Sequence, residues 1–368
     1  MNLFPSGIAE GEAFCNRTEE RKLLADRFGD LTHTVVVAPR RYGKSSLIRK
    51  VVTENNIAHS WTDFLTVSSK KEVEQKIGKA VAQLLYQMAP DLKKLQLNFQ
   101  KFFKSVNPDF MIQTLGASLT IHPNFEKNVE IDEALMGLDD YAYELGKKAV
   151  IVFDEFQEIS MIKDHKPIEA LIRHAVERSK AITYVFSGSN RHLLVSMFGS
   201  SDRPLYRLCQ TMTVDRIKPE EYRKFLDEVV PGQWKETLSA EAFQKVMAVT
   251  ECHPYYVNGL CRILWRLKTA PTPEKVTKAW DDYVNTNRTS IVSDIFSLSL
   301  NQKRLVASLA RAPAAEVFGK DFSIQSDLSI SSVKQVLGVL VAKDIVYRDE
   351  EGVYRLLDPA VKYYVLNN

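Results

Sequence analysis

Apolar positions in this chain follow two rhythms. In the first two-thirds they gather into short β-branched runs, Thr34-Val35-Val36-Val37 and Ala149-Val150-Ile151-Val152-Phe153, with almost no polar interruption. A strand exposed on one face alternates, whereas an unbroken run is what a strand buried on both faces needs. Residues 58–67, 181–186 and 210–214 supply three further strand candidates, and helical spacing at 70–88, 132–145 and 168–180 separates them. Strands alternating with helices predict an α/β domain, a parallel sheet in a three-layer arrangement, over residues 1–215.

From Lys218 the β-branched runs stop. A helix at 219–230 opens with Pro219 in its first turn, another at 239–249 opens with Ser239 as its cap, and together they predict an all-helical subdomain over 216–296. Residues 297–368 change rhythm again: helices at 302–309, 318–325 and 331–343, then strands at 345–348 and 353–356 around a turn at 350–352. Three helices followed by a hairpin predict a winged-helix-like domain. Segment 89–130, with Lys93, Lys94, Lys101 and Lys104 among Leu95, Phe99, Phe102 and Phe103, reads as an amphipathic helix plus a short hairpin, its apolar stripe turned to the core.

Composition agrees with an ordinary globular chain: 368 residues, 45% hydrophobic and 26% charged, with 49 Lys plus Arg against 46 Asp plus Glu. A formal charge of +3 makes no global case for a nucleic-acid or anionic membrane partner, so any basic patch is local. No apolar run approaches the ~20 residues that span a bilayer. Residues 1–12 carry Glu10 and Glu12 and lack the basic and apolar regions of a signal peptide, so the expectation is a cytoplasmic protein without a membrane partner. Cys15, Cys209, Cys252 and Cys261 have no metal-site spacing and read as free thiols.

The chemistry begins where the first apolar run ends. Ala38-Pro39-Arg40-Arg41-Tyr42-Gly43-Lys44-Ser45 follows it at once and leads into a helix-compatible stretch beginning at Ser46. Such a loop cradles phosphates with backbone N–H groups at a helix N-terminus, a lysine for the β- and γ-phosphates and a hydroxyl for Mg²⁺. The pattern G-x-x-x-x-G-K-[ST] is met at Gly43, Lys44 and Ser45, with Ala38 at the first glycine position, where a small residue matters more than positive φ.

Asp154-Glu155 closes the second apolar run, at the strand edge where open α/β sheets bind ligands. One carboxylate can hold Mg²⁺ and the other can orient an attacking water; the pair also suits a solvated acidic turn. Ser187-Gly188-Ser189-Asn190 ends another strand. Its polar side chains suit either a contact to the γ-phosphate or water, with Ser187 and Asn190 the candidates, or capping of the next helix.

Six strings carry a family resemblance: Phe-Cys-Asn-Arg-Thr-Glu-Glu at 14–20, Ala-Pro-Arg-Arg-Tyr-Gly-Lys-Ser-Ser at 38–46, Phe-Asp-Glu-Phe-Gln at 153–157, Ser-Gly-Ser-Asn-Arg at 187–191, Pro-Leu-Tyr at 204–206 and His-Pro-Tyr-Tyr at 253–256. Over nearly its whole length the chain resembles the archaeal-type ATPases of the STAND branch of P-loop ATPases, relatives of the AAA+ proteins. The resemblance implies a P-loop core, a helical lid and a C-terminal winged helix. It further implies ATP and Mg²⁺ as ligands and slow hydrolysis that serves a nucleotide-dependent switch. Matching positions imply nucleotide contacts from Asn16 and Arg17, from Ala38, Pro39, Arg40, Arg41, Tyr42, Gly43, Lys44, Ser45 and Ser46 in the loop, and from His253 and Pro254 in the lid. Ser45 and Asp154 would hold the metal; Lys44, Glu155, Ser187 and Asn190 would serve catalysis. The family's Gly-His-Pro element has Cys252 in place of its glycine here, which strains any positive φ at that position.

Two questions stay open at this level. Arg191, Arg203 and Arg207 are alternative charge-stabilising arginines. The partner is a protein or a second copy of the chain, with DNA as the alternative through 297–368, in the manner of a DNA-associated regulator or mobile-element helper. That segment holds nine Lys/Arg and eight Asp/Glu, and Asp349, Glu350 and Glu351 crowd the hairpin turn, so charge disfavours DNA even though Lys334 and Gln335 sit on the expected recognition helix.

Overall fold

The five expected strands form one sheet in the computed structural model, which describes residues 3–89, 130–349 and 351–368. They are β1 (Thr34–Val37), β2 (Ala58–Asp63), β3 (Ala149–Asp154), β4 (Ile182–Gly188) and β5 (Gln210–Thr213), in the order β2-β3-β4-β1-β5 with every pairing parallel. The three central strands β1, β3 and β4 are buried nearly throughout, while the edge strands β2 and β5 alternate. This is the pattern that unbroken apolar runs predict.

Two expected boundaries move. The strand expected to run to residue 67 stops at Asp63, whose carboxylate accepts the Leu65 N–H at 2.8 Å and turns the chain. The helix expected to reach residue 180 ends at Val176. The expectations for segment 89–130 fall, apart from its two end residues, outside the described residues, as does Glu350 of the hairpin turn.

The chain divides into two compact units. A core unit comprises Arg17–Arg40 and Lys44–Asp215; a C-terminal unit comprises Met1–Asn16, Arg41–Gly43 and Arg216–Asn368. In the core unit, α1 (Thr18–Gly29) packs on α2 (Lys44–Glu54), and α3 (Lys70–Met88), α4 (Ile131–Glu144) and α5 (His165–Val176) pack in succession, followed by α6 (Arg191–Gly199).

The C-terminal unit is helical from α7 (Pro219–Val229), with Pro219 in its first turn, through α8 (Ala240–Thr250), capped by Ser239, to α9 (Pro254–Leu264), α10 (Pro273–Thr286) and α11 (Arg288–Phe296). Then come α12 (Leu300–Arg311), α13 (Lys320–Ser326), α14 (Ile330–Ala342) and an antiparallel hairpin of β6 (Val346–Arg348) and β7 (Tyr354–Leu356). One apolar cluster, from Phe4 through Trp280 to Val361, runs through all of it. A last helix, α15 (Pro359–Asn367), follows the hairpin and packs on α8, α11 and α12. No described helix is long and apolar enough to cross a membrane.

Asp139 of α4 holds the turn that feeds β4. It is 4% exposed, and its carboxylate accepts from the Ser179 hydroxyl at 2.5 Å and from the N–H groups of Lys180, Ala181 and Ile182 at 2.9 Å each. Removing it leaves several buried donors unsatisfied. Asp139→Ala is expected to lower the unfolding free energy by about 3 kcal/mol, read from the urea midpoint at unchanged slope.

Candidate active site

Packing forces the two acids out at the end of β3. Phe153 and Phe156 on either side of them are fully buried in a ring cluster, with centroids 5.5 Å from Phe153 to Phe186 and 4.7 Å from Phe156 to Phe186. The chain reverses between those anchors, and Glu155 takes a left-handed conformation at φ 49°, an uncommon state for a side chain of this kind. Asp154 and Glu155 therefore present their carboxylates together at the carboxyl edge of the sheet.

Because β4 lies between β1 and β3, its last residues stand between the loop strand and the acid strand. The Ser187 hydroxyl donates to Asp154 Oδ1 at 2.6 Å, and the Ser45 hydroxyl at the start of α2 donates to Asp154 Oδ2 at 3.3 Å. Each carboxylate oxygen of Asp154 thus takes one serine. Ser45 and Asp154 form a pair of hard oxygen donors, the set that Mg²⁺ accepts, so these residues fit that ion.

Glu155 is held through one oxygen. Its Oε2 accepts from Gln157 Nε2 at 2.6 Å, from the Ser189 hydroxyl at 2.8 Å and from the Ser189 N–H at 3.1 Å. Burial works against its charged form, but these hydrogen bonds and the Lys44 ammonium outweigh it and keep the carboxyl below its usual range. Lys44 Nζ donates to the carbonyls of Ala38 at 3.1 Å and Pro39 at 3.5 Å.

The loop has the backbone its sequence suggests. Gly43 sits at φ +87°, with open space where a Cβ would project. Ala38 is fully buried and is absent from the positive-φ residues, so alanine stands there without strain. Pro39 and Ser46 are buried and Arg40 is exposed.

Within the C-terminal unit, Arg41 and Tyr42 meet residues at and after the turn before α9. The Tyr42 ring packs edge-on against His253 at 4.7 Å, its hydroxyl accepts from Arg216 Nε at 3.1 Å, and the Arg41 guanidinium lies over Tyr255 at 4.2 Å. Arg216 also donates to the Glu251 carbonyl and carboxylate, each at 2.8 Å, and to the Leu357 carbonyl at 3.0 Å. Pro254 forms the first turn of α9, with His253 just before it.

No family model matches the chain, and no curated protein matches it. Solved structures do. A Walker-type ATPase of Pyrococcus abyssi superposes with TM-score 0.69 at 17% identity over 99% of each chain. The ORC2 protein of Aeropyrum pernix superposes with TM-score 0.57 at 12% identity in a complex with ADPNP and ADP, covering 99% of this chain and 95% of that one. Its ADP form gives TM-score 0.53 at 11% identity, over 99% and 96%.

The chain has the P-loop NTPase fold.

Set on that fold, the residues singled out from sequence fall into two groups. Lys44, Ser45, Asp154, Glu155 and Ser187 gather at the sheet edge of the core unit; Tyr42 and His253 meet within the C-terminal unit. Others have structural employment. Asn190, a candidate for the water contact or for capping, caps α6 by accepting the Leu193 N–H at 3.1 Å. Arg17 is 2% exposed and donates to Glu20 Oε1 and to the Asp215 carbonyl, both at 2.8 Å, and Asn16 donates to the Glu221 carbonyl at 3.1 Å. Of the alternative arginines, Arg203 forms a two-bond ion pair with the fully buried Glu169, Arg207 lies over the Tyr206 ring at 5.0 Å, and Arg191 opens α6. Ser189, Gln157 and Arg216 were not singled out. Ser189 and Gln157 lie inside the strings Ser-Gly-Ser-Asn-Arg and Phe-Asp-Glu-Phe-Gln, whereas nothing local marks Arg216.

Two expectations follow from the turn before α9. Cys252 sits at φ 57°, where glycine is at ease; Cys252→Gly is expected to stabilise the fold by about 1 kcal/mol in chemical denaturation. Burial first, then the Arg216 charge, push the His253 imidazole down to about 3. Its stabilising effect is complete above the ordinary value of 6.5 and is lost as the pH falls toward 3. Between pH 6.5 and 4 the unfolding free energy of the wild type should therefore fall relative to His253→Phe, by up to ~1.4 kcal/mol per pH unit.

Proposed function

We propose that this protein binds ATP with Mg²⁺ and hydrolyses it slowly, acting as a nucleotide-dependent switch of the STAND type in the cytoplasm. The observation that carries the reading is the meeting of Ser45, Asp154 and Ser187 beside a Glu155 held ionised, at the end of a Gly-Lys-Ser loop. In this reading Lys44 exchanges the loop carbonyls for the β- and γ-phosphates, and Ser45 and Asp154 hold the metal. Mg²⁺ bound there would neutralise charge on the phosphate oxygens. Glu155 takes a proton from water as the water oxygen bonds to the γ-phosphorus. The bond from that phosphorus to the bridging oxygen breaks, leaving ADP and phosphate.

The switch is supported inside the C-terminal unit. Tyr42 belongs to the loop, and Arg216 ties it to Glu251 in the turn before α9, itself paired with Lys362 of α15 at 2.5 Å. A second route runs from Tyr42 through His253 and the Tyr256 ring, 5.0 Å from His253, to Asp358, which the Tyr256 hydroxyl contacts. We therefore treat 216–296 as the lid and 297–368 as the winged-helix-like output, with His253 and Pro254 reporting the state of the loop. A protein partner or self-assembly is the favoured readout. For DNA the hairpin is poorly equipped: Arg355 pairs with Asp349 at 2.5 Å and Arg348 donates to the Gly352 carbonyl at 2.9 Å.

Two variants test the reading. Lys44→Ala should weaken ATP affinity at least ~10-fold by titration calorimetry, and Glu155→Gln should keep affinity but lose ~100-fold or more in phosphate release. Unchanged turnover in Glu155→Gln would remove Glu155 from the chemistry, and unchanged affinity in Lys44→Ala would remove the loop.

A further inference from the structure

We infer that Gln157 is a positioning residue for Glu155 and that Gly188 is glycine in order to make room for it. The inference rests on the reading of Glu155 as the group that orients the attacking water.

Gln157 is 1% exposed in the short helical turn after β3, and its amide nitrogen is shared between Glu155 Oε2 at 2.6 Å and Glu158 Oε1 at 3.1 Å. Its amide oxygen is buried and accepts no hydrogen bond from any described residue. Turning the amide over would set that oxygen against two carboxylates, so the two acids dictate its orientation. A buried acceptor without a donor is an expense that a merely space-filling side chain avoids, and aliphatic residues of the same volume incur none.

Gly188, the last residue of β4, explains where the oxygen goes. A Cβ at this position would stand 1.8 Å from Gln157 Oε1 and 2.9 Å from its Cδ. The backbone there has no positive φ, so glycine answers to space and not to conformation. Gln157 fits under β4 only because residue 188 has no side chain.

The consequence falls on the geometry of Glu155. Oε2 receives all three donors, from Gln157 and Ser189, and Oε1 receives none from the described residues. Pinning one oxygen leaves the other as the sole acceptor for a water proton and fixes its direction. A carboxylate free to rotate would present either oxygen at many angles, and displacement of about 1 Å can cost ~100-fold in rate.

The test measures kcat and KM for ATP with Mg²⁺, affinity for a slowly hydrolysed ATP analogue, and the thermal midpoint. Variants are Gln157→Met, which keeps volume without a donor, Gly188→Ala, Gln157→Ala and the double variant Gly188→Ala/Gln157→Ala. Gln157→Met and Gly188→Ala should each lower kcat by about 10- to 100-fold, with KM and analogue affinity within about twofold of wild type. Because Gly188→Ala acts by displacing the Gln157 amide, it should add nothing once that amide is gone, so the double variant should match Gln157→Ala in kcat. Wild-type kcat in Gln157→Met overturns the inference, as does an equal loss of analogue affinity in both single variants. Glu155→Gln separates the layers: if it is inactive while Gln157→Met turns over normally, only the positioning role falls, and if it retains turnover, the role of Glu155 falls and this inference with it.

Discussion

Three strands of the sheet, β1, β3 and β4, are buried on both faces, and that constraint decides where polar chemistry can sit. Along such a strand a charged side chain has no solvent on either side, so polar groups collect where the strand ends. All five strands run parallel, and β3, β4 and β1 are neighbours in that order, so the ends that carry Asp154, Ser187 and the phosphate loop come out on one edge. The Ser45–Asp154–Ser187 contacts follow from this register. Asp139 belongs to the same logic at the other end of β4, where one buried carboxylate gathers the donors of the turn that launches the strand.

Much of the architecture was legible in the sequence because it rests on periodicity. Five strands, their alternation with helices, and the switch to an all-helical rhythm after Lys218 were all readable from apolar spacing and caps. The helix Pro359–Asn367 lies beyond the last element expected from the sequence, although Asp358-Pro359 is a helix-opening signal and the structure shows Asp358 capping it. The grouping of side chains at the sheet edge was legible where one residue type stands at one spacing, as in Gly43-Lys44-Ser45 and Asp154-Glu155. It was illegible where neighbours compete for a job. Four residues end β4, and sequence offers no means to know that Ser189 reaches Glu155 while Asn190 turns to cap α6. Arg216 was invisible for a stronger reason, since its partners Tyr42, Glu251 and Leu357 are scattered along the chain.

Several charges in the C-terminal unit are paired internally. Glu251 joins Arg216 and Lys362, Asp358 caps α15 while receiving the Tyr256 hydroxyl, and Asp349 binds both the Val353 N–H at 2.8 Å and Arg355. These pairs tie α15 to the turn before α9 and the hairpin to its own turn.

Backbone strain occurs beside several of these residues and also elsewhere in the chain. Asn16, Arg17, Arg41, Glu155, Glu251 and Cys252 all hold positive φ without being glycine. Each such residue costs about 1 kcal/mol or more and persists only where surrounding packing leaves no alternative. Here the packing is identifiable: the Phe153 and Phe156 rings anchor the chain on both sides of Glu155, Tyr255 carries Arg41, and Arg216 and Lys362 fix Glu251. A phosphate loop could be built from glycines alone, with no strain and no memory of its neighbours. By using Arg41 and Glu251 at such positions, this chain makes the loop and the turn before α9 depend on side-chain contacts.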